Sequence, residues 1–490
     1  MVEIQSSKDL KTATIVGGVK WTTFSMIVSS LVQILKIVVL TRFLSTEDYG
    51  LMAIILLVLG FTSLFSELGM GVALMHKQNV TQNDFSSLYW SFSLLSIVLY
   101  IILCLCTPLV AQYYAQPILN KLIPLMGLEL VIVASGKLYG TLREKCFDFR
   151  FMSILTSIAV ITSLIISVVL AITGFGVYSL IYSALLQSAI LHIGSLITTF
   201  KKAPLLFHFS FQEVKPFLKI GLYQSGAGIL DYFSGKFDIL LIGRLFGMET
   251  LGIYSLAKDL IIRLFSLVNS VVNRVAFPTF AKMQDNRDTL IMWFGRLQSV
   301  LAYIIFPIYC FILLYSHSIV LILYDESFVG VANLLSLLTI YGAFASLVNF
   351  SSVITGALGR TDMSFIWTII QFVIMPICVY LSSQFSIVIL SITVSCLSVV
   401  NLILYWRLIF KKIVDVSLSK YIYPLTKPVI ITIITGFVLS IVSYFCHVTI
   451  PILKLLIYGS VFCIVYVINL FIFDKNSFYS ILKLLNRKAG

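Results

Sequence analysis

The chain is built from long apolar stretches separated by short charged or turn-forming segments. Each stretch has about 20 residues, the length an α-helix needs to cross the hydrocarbon layer. None shows the two-residue alternation of a membrane β-strand, so helices are favoured. The pattern predicts about fourteen transmembrane helices, at about Gly17–Leu40, Leu51–Met75, Phe85–Leu109, Leu119–Tyr139, Met152–Ile172, Val177–Thr198, Ile220–Ile242, Ile253–Phe277, Ile291–Tyr315, Val331–Leu358, Met363–Leu381, Phe385–Phe410, Tyr421–Cys446 and Ile450–Phe473.

The composition excludes a soluble globular protein. Of the 490 residues, 59% are hydrophobic and 11% are charged, whereas a soluble domain has roughly 25% charged residues. The first apolar stretch is too long for a cleaved signal peptide, so we expect it to be retained as the first helix. The eight cysteines include no CxxC pair and the five histidines are dispersed. Neither a metal site nor a bound cofactor is therefore expected.

Basic residues are concentrated in alternate loops, which predicts the orientation. One set of loops carries few of them, mainly Arg42, Lys121, Arg244 and Lys454. Because cytoplasmic loops of membrane proteins are enriched in Lys and Arg, the other set and both termini are predicted to face the cytoplasm. We expect a multi-pass protein of the bacterial cytoplasmic (inner) membrane. The basic set comprises Lys77, Arg143, Lys145, Arg150, Lys201, Lys202, Lys215, Lys219, Lys282, Arg287, Arg360, Arg407, Lys411, Lys412 and Lys420.

A short motif, R-x-x-x-x-E-x-x-G, occurs twice. It runs from Arg42 to Gly50 after the first predicted helix and from Arg244 to Gly252 after the seventh. Six helices separate the two copies, so the repeats have the same orientation and are parallel. We predict an N-terminal lobe over 1–200, a cytoplasmic connector with an interfacial helix over 201–219, a C-terminal lobe over 220–412, and two accessory helices with a cytoplasmic tail over 413–490.

Several ionisable side chains fall inside the predicted helices, where each costs about 2.5–3.5 kcal/mol on insertion scales. Such groups usually face a wet cavity or a partner. We hypothesise a hydrophilic cavity between the two six-helix bundles that holds an anionic substrate, with substrate-binding residues Lys36, Asp231, Lys236 and Arg263. Structural ion pairs are the alternative. Four further residues are candidates for ion coupling or for the cavity wall: Glu67, Glu129, Lys137 and Asp238.

The helical period and the repeat refine this hypothesis. Asp231 and Asp238 are seven residues apart and are expected to share a helix face, whereas Lys236 points elsewhere. Lys36 and Asp238 occupy matching positions in the two repeats and are expected to face one another. The isolated His192 and His317 are interpreted as packing or interfacial residues rather than as a proton relay.

Several motifs carry a resemblance to a known family. They are GVKW from Gly18, TRFLSTEDYGL from Thr41, ELGMG from Glu67 followed by Ala73-Leu74, SLYW from Ser87, REK from Arg143 with Phe149, and FPTFAKMQ from Phe277. Together they resemble the Wzx-type polysaccharide and O-antigen flippases of the MOP superfamily, which also includes the MATE drug exporters. The branch that includes the colanic acid exporter is the most similar. The motifs contain no catalytic signature, so no binding residue is transferred from the family.

The resemblance implies two V-shaped six-helix lobes, two accessory helices and a cationic central cavity. It also implies alternating-access transport of an undecaprenyl-pyrophosphate-linked oligosaccharide for O-antigen, capsule or exopolysaccharide synthesis. A polysaccharide polymerase and a chain-length regulator are candidate partners, and protons or Na+ are candidate coupling ions. Two alternatives stay open. A MATE-type drug exporter would want an acidic cavity, and a membrane-embedded glycosyltransferase or polymerase would usually need a larger external loop or domain.

Overall fold

The computed structural model describes residues 12–67, 74–75, 80–201, 203–446 and 448–475. Within these ranges the chain has no β-strand and forms fourteen long α-helices. This confirms the predicted all-α membrane fold class. The helices are α1 (Thr12–Leu40), α2 (Thr46–Glu67), α3 (Gln82–Tyr113), α4 (Leu119–Lys145), α5 (Phe149–Ile172), α6 (Val177–Phe200), α7 (Phe211–Leu245), α8 (Gly247–Lys282), α9 (Arg287–Leu323), α10 (Gly330–Ala357), α11 (Thr361–Ser383), α12 (Ile387–Tyr405), α13 (Leu418–Phe445) and α14 (Pro451–Phe473).

Among the described helices, thirteen are long and apolar enough to cross a membrane. The exception is α7, whose 35 residues include seven that are charged. Several helices continue past their predicted ends: α4 runs to Lys145 instead of Tyr139, and α8 runs to Lys282 instead of Phe277. A helix does not stop where the hydrocarbon ends, because long basic side chains at its last turns keep their charges in the interface.

The first compact unit is Met1–Gly252 and contains α1 to α7. Within it, α1 packs on α5, α4 packs on α3 and α6, and α2 packs on α7. Small residues allow these close approaches: a Cβ on Gly136 of α4 would lie 1.7 Å from the carbonyl oxygen of His192 on α6. Buried serines line α5 and α6. Small residues at helix contacts are typical of membrane proteins, where the lipid gives no hydrophobic drive for helices to associate.

The second compact unit is Ile253–Gly490. Its core contains a cluster of aromatic rings centred on Phe294 of α9, which stacks on Phe350 of α10 and Tyr421 of α13 at centroid distances of 5.4 and 5.7 Å. The helix α9 bends at Tyr315, whose φ and ψ of −117° and 20° depart from helical values. Around this bend α9 packs on α13 and α14, and Tyr315 stacks on Tyr458. The two C-terminal helices are therefore integral to this unit.

The observed division differs from the predicted domain limits. No separate interfacial helix occurs in the described part of the connector, because residues from Phe211 onward belong to the continuous helix α7. The helix α7 also packs on α2 and α3. It therefore falls in the first unit rather than with the residues predicted for the C-terminal lobe. Helix-to-helix packing sets this limit, and a change of composition near 201–219 does not reveal it.

Candidate substrate site

The two copies of the repeated motif touch each other inside the first unit. A Cβ on Gly50, at the start of α2, would lie 1.9 Å from the carbonyl oxygen of Met248. A Cβ on Gly252, at the start of α8, would lie 1.8 Å from the carbonyl oxygen of Thr46. Thr46 and Met248 each stand four residues before the glycine of their own copy. The contact is therefore reciprocal, and both glycines are required by the closeness of the backbones.

The acidic residue that caps the first copy is Asp48. Its carboxylate Oδ2 accepts from the backbone N–H and the hydroxyl of Ser45, each at 2.9 Å. The backbone N–H of Asp48 donates to the Ser45 hydroxyl at 3.2 Å, which completes a capping box. The first turn of α2 is thus fixed by its own side chains next to the glycine contact.

Lys36 lies in the interior of the first unit, between three helices. Its ammonium Nζ donates to the hydroxyls of Ser163 on α5 and Ser183 on α6, at 3.1 and 2.8 Å. Both serines are almost completely buried. No carboxylate of the described residues forms an ion pair with Lys36, so it does not pair with Asp238. Two hydroxyl dipoles therefore replace part of the water shell of this cation.

Three of the charged residues in the second half of α7, Asp231, Lys236 and Asp238, have different surroundings. Asp231 is exposed, whereas Asp238 is 2% exposed and its Oδ1 accepts from the backbone N–H of Ile239 at 2.8 Å. The two carboxylates share a face by helical period but differ in burial, because the neighbouring elements change along the helix. Lys236 lies between them in sequence and lines a cavity of the first unit.

This cavity, which we call the α2–α3–α7 groove, has a volume of about 500 Å³. Its described lining residues come from three helices, with Phe61 and Phe65 on α2, Ile102 and Cys106 on α3, and Phe233 on α7 among them. Sequence reasoning placed Lys236 inside the membrane but missed the groove. The apolar pattern of a sequence does not show which helices are neighbours. The aromatic residues Tyr232, Phe233 and Phe237 around Lys236 were the one signal that the sequence offered.

The remaining predicted residues are dispersed. Glu129 and Lys137 lie half-buried on α4. Glu67 ends α2, and its side chain lies outside the described residues. Arg263 lies half-buried on α8 and belongs to the second unit. The structure thus brings Lys36 together with two serines that the sequence pattern did not single out, and it places Lys236 on a cavity wall.

A structural cation that sequence reasoning assigned only to a loop is Arg143. Its side chain is almost buried at the end of α4, where it donates to the Thr198 carbonyl at 3.0 Å and to Asp148 Oδ2 at 2.6 Å. It also donates to the Thr199 hydroxyl, and its guanidinium lies 3.8 Å from the centroid of the Phe151 ring. The arrangement ties α4 to α5 and α6 at one end of the first unit.

The fold has solved counterparts. The structure of the lipid II flippase MurJ in an inward closed conformation superposes with a TM-score of 0.77, covering 94% of this chain and 99% of MurJ at 17% identity. At this identity the likeness shows the fold.

Sequence relatives extend over most of the chain. The teichuronic acid biosynthesis protein TuaB of Bacillus subtilis is 26% identical over 432 residues, which cover 87% of this chain and 88% of TuaB. The lipopolysaccharide biosynthesis protein WzxC of Escherichia coli is 24% identical over 433 residues, covering 87% of this chain and 88% of WzxC. The model of the polysaccharide biosynthesis protein family matches residues 39–333. These matches confirm the resemblance seen in the motifs, and this multi-pass membrane chain belongs to the polysaccharide biosynthesis protein family.

Proposed function

We propose that the protein moves an undecaprenyl-pyrophosphate-linked oligosaccharide across the bacterial cytoplasmic membrane by alternating access, for the synthesis of a cell-surface polysaccharide. Three findings support the proposal. The chain belongs to the polysaccharide biosynthesis family. It is similar over most of its length to TuaB and WzxC, whose names place them in polysaccharide synthesis. It also has the fold of a lipid II flippase.

The observation that carries the proposal is the presence of cations well inside the long helices of a membrane protein. Lys36, Lys236 and Arg263 all lie inside helices rather than in loops. A basic group at such depth costs about 2.5–3.5 kcal/mol on insertion scales, so it needs a compensating role. A pyrophosphate crossing the membrane is itself costly to remove from water. Charge-assisted hydrogen bonds from ammonium and guanidinium groups offset that cost.

The proposal extends to orientation, partners and energy source. The distribution of basic residues among the loops supports cytoplasmic termini, and the substrate would then be loaded from the cytoplasmic leaflet. A polysaccharide polymerase and a chain-length regulator would then take up the translocated repeat unit outside. The candidates for coupling to protons or Na+ remain the membrane carboxylates of the sequence analysis, Glu67, Glu129, Asp231 and Asp238. No covalent step is needed, since transport leaves every bond of the substrate intact.

The test is translocation of a fluorescent lipid-linked oligosaccharide in proteoliposomes, read out by quenching of the outer-leaflet dye. The triple variant Lys36→Gln, Lys236→Gln and Arg263→Gln removes three positive charges. Translocation is expected to slow by roughly tenfold or more, which corresponds to losing ~1.4 kcal/mol of stabilisation of the pyrophosphate.

A matched control removes the same charge elsewhere. Lys121, Lys282 and Lys420 are exposed at helix ends, so the triple Lys→Gln variant at these positions is expected to retain wild-type translocation. Equal translocation rates in the two triple variants, both folded as judged by thermal unfolding, would contradict the assignment of Lys36, Lys236 and Arg263. Chain elongation by the purified protein would instead indicate a polymerase, and a reduced intracellular drug level would indicate a drug exporter.

A further inference from the structure

The α2–α3–α7 groove opens laterally. Ile102 on its wall is 48% exposed, and Cys106, one turn further along α3, is also exposed. Both residues lie inside a membrane-spanning helix of 32 residues, at least seven residues from either end. A side chain exposed at that position meets lipid chains rather than water. An occupant of the groove therefore enters from the hydrocarbon layer.

The wall of the groove is almost entirely apolar. The hydroxyl of Thr62 donates to the carbonyl of Val58 at 2.9 Å, and the hydroxyl of Tyr232 donates to the carbonyl of Leu57 at 2.8 Å. Their polar hydrogens are thus satisfied by the backbone and do not face the groove. Among the lining residues Lys236 is the only one with a charged side chain. A hydrocarbon wall with one ammonium group matches a ligand that combines an apolar chain with an anionic head.

The depth of Lys236 narrows the choice of ligand. It stands nine residues before Leu245, the end of α7, which places it about 13 Å along the helix axis from that end. Leu57 and Val58, at the middle of the membrane-spanning helix α2, line the same groove, so the groove lies at the depth of the hydrocarbon core, which is about 30 Å thick. An ordinary phospholipid keeps its phosphate at the interface. A cation at this depth is suited to a lipid whose phosphate is drawn into the membrane during transport.

The wall of the groove is largely aromatic. Five aromatic side chains line the groove: Phe61, Phe65, Tyr232, Phe233 and Phe237. Aromatic rings give a large and rigid apolar contact surface, which suits the apolar chain of the proposed substrate. The volume of about 500 Å³ lies within the usual range for small-molecule sites, so it holds one segment of a long chain.

We propose that the α2–α3–α7 groove binds the phosphate-proximal isoprene units of a polyprenyl phosphate, with Lys236 contacting the phosphate. The inference rests on the proposed function, and it adds a tail-binding site within the first unit. The groove guides the chain while its phosphate crosses the membrane, so the tail is bound by protein at this stage instead of remaining in bulk lipid.

The test uses a polyprenyl phosphate with a photoreactive diazirine near its phosphate, added to the full-length protein in nanodiscs. Adducts mapped by mass spectrometry are expected on α2, α3 and α7 at the groove. Ile102→Trp places a large ring in the groove and is expected to reduce these adducts severalfold, as is Cys106→Trp. Leu105→Trp is the matched control, because Leu105 is on the same helix and 73% exposed but does not line the groove. It is expected to leave labelling unchanged.

The phosphate contact is tested separately with Lys236→Gln. This variant is expected to weaken labelling by the polyprenyl phosphate severalfold and to leave labelling by the corresponding uncharged polyprenol unchanged. Equal labelling in the Ile102→Trp and Leu105→Trp variants would overturn the proposal. So would equally strong labelling by a phospholipid with the same photoreactive group, since the groove would then be an ordinary lipid site.

Binding and translocation are read out independently. Groove labelling that follows the expected pattern in a protein that does not translocate lipid-linked oligosaccharide would overturn the proposed function and support the groove assignment. Translocation that proceeds normally while labelling is spread evenly over the lipid-facing surface would overturn the groove assignment alone.

Discussion

Gly50 and Gly252 face each other so closely that a Cβ on Gly252 would lie 3.0 Å from the backbone nitrogen of Gly50. The same Cβ would overlap the carbonyl of Thr46. Contacts with backbone atoms are not relieved by a rotamer change, so the two helices would have to separate. The glycine in each copy of the motif is thus set by the packing of the two helices.

Gly50→Ala and Gly252→Ala are each expected to destabilise the protein by about 1–3 kcal/mol, the usual cost of overpacking. Thermal unfolding of the purified protein measures the effect. A Cβ on Gly235 of α7 would have no atom within 4 Å, so Gly235→Ala is the control and is expected to be neutral or slightly stabilising. A melting temperature of Gly50→Ala equal to that of Gly235→Ala would show that the backbones are further apart.

The contact between Lys36 and Ser183 is expected to be energetically coupled. Lys36→Met and Ser183→Ala each remove one partner of the hydrogen bond. The double variant is expected to lose less free energy of unfolding than the sum of the two single variants, by roughly 0.5–3 kcal/mol. Unfolding by SDS in mixed micelles gives the free energies. Ser195 is buried on the same helix and bonded to Leu191, so Lys36→Met combined with Ser195→Ala is expected to be additive. Additivity in both pairs would contradict the hydrogen bond.

Arg143 is expected to resist conservative replacement. Arg143→Lys keeps the charge but loses the planar guanidinium that stacks on Phe151 and bonds to Thr198 and Asp148. Lys cannot replace Arg at a site where the planar guanidinium both stacks on a ring and donates several hydrogen bonds. Destabilisation of about 1–3 kcal/mol is expected and is measured by the same SDS titration. The control is Arg360→Lys, at an exposed ion pair with Asp362, where no measurable change is expected. An equal response of the two variants would exclude a special role for the guanidinium.

The two carboxylates of α7 are expected to respond differently. Asp238→Asn replaces a buried, hydrogen-bonded carboxylate and is expected to cost about 1–3 kcal/mol of stability. Asp231→Asn changes an exposed group and is expected to leave stability unchanged. Thermal unfolding of the two variants measures this difference in stability, and equal melting temperatures would contradict it. Any effect of Asp231→Asn on translocation alone would then be attributable to transport and not to folding.

The helices were predictable because a helix that crosses the membrane needs about 20 predominantly apolar residues in succession. Even α7, with Asp231, Lys236 and Asp238 in its second half, was identified from its apolar positions. Its early start at Phe211 was missed, because residues before Ile220 look like an interfacial segment and are nonetheless continuous with the helix. Apolar length indicates which helices can cross the membrane, while the helix ends depend on caps and on side chains that reach the interface.

The site was predictable only in part. Depth along the helix singled out Lys36 and Lys236. The partners of Lys36 were not predictable, since Ser163 and Ser183 are ordinary small residues within apolar runs. The seven-residue spacing predicts that Asp231 and Asp238 share a helix face. It does not predict which elements pack against that face. Which helices are neighbours is a property of the fold, and it decides whether a charge is buried, exposed or on a cavity wall.

The reciprocal glycine contact has a consequence for the association of the two copies. Gly50 contacts Met248, which is the equivalent of Thr46 in the second copy, and Gly252 contacts Thr46. In an isologous interface one patch binds its own copy around a two-fold axis, and this contact has the same reciprocal pattern. A half-length chain with one copy of the motif would present this same patch for pairing with a second copy of itself. Because both copies stand in one chain, their association does not depend on protein concentration, and each copy can carry its own charged residues.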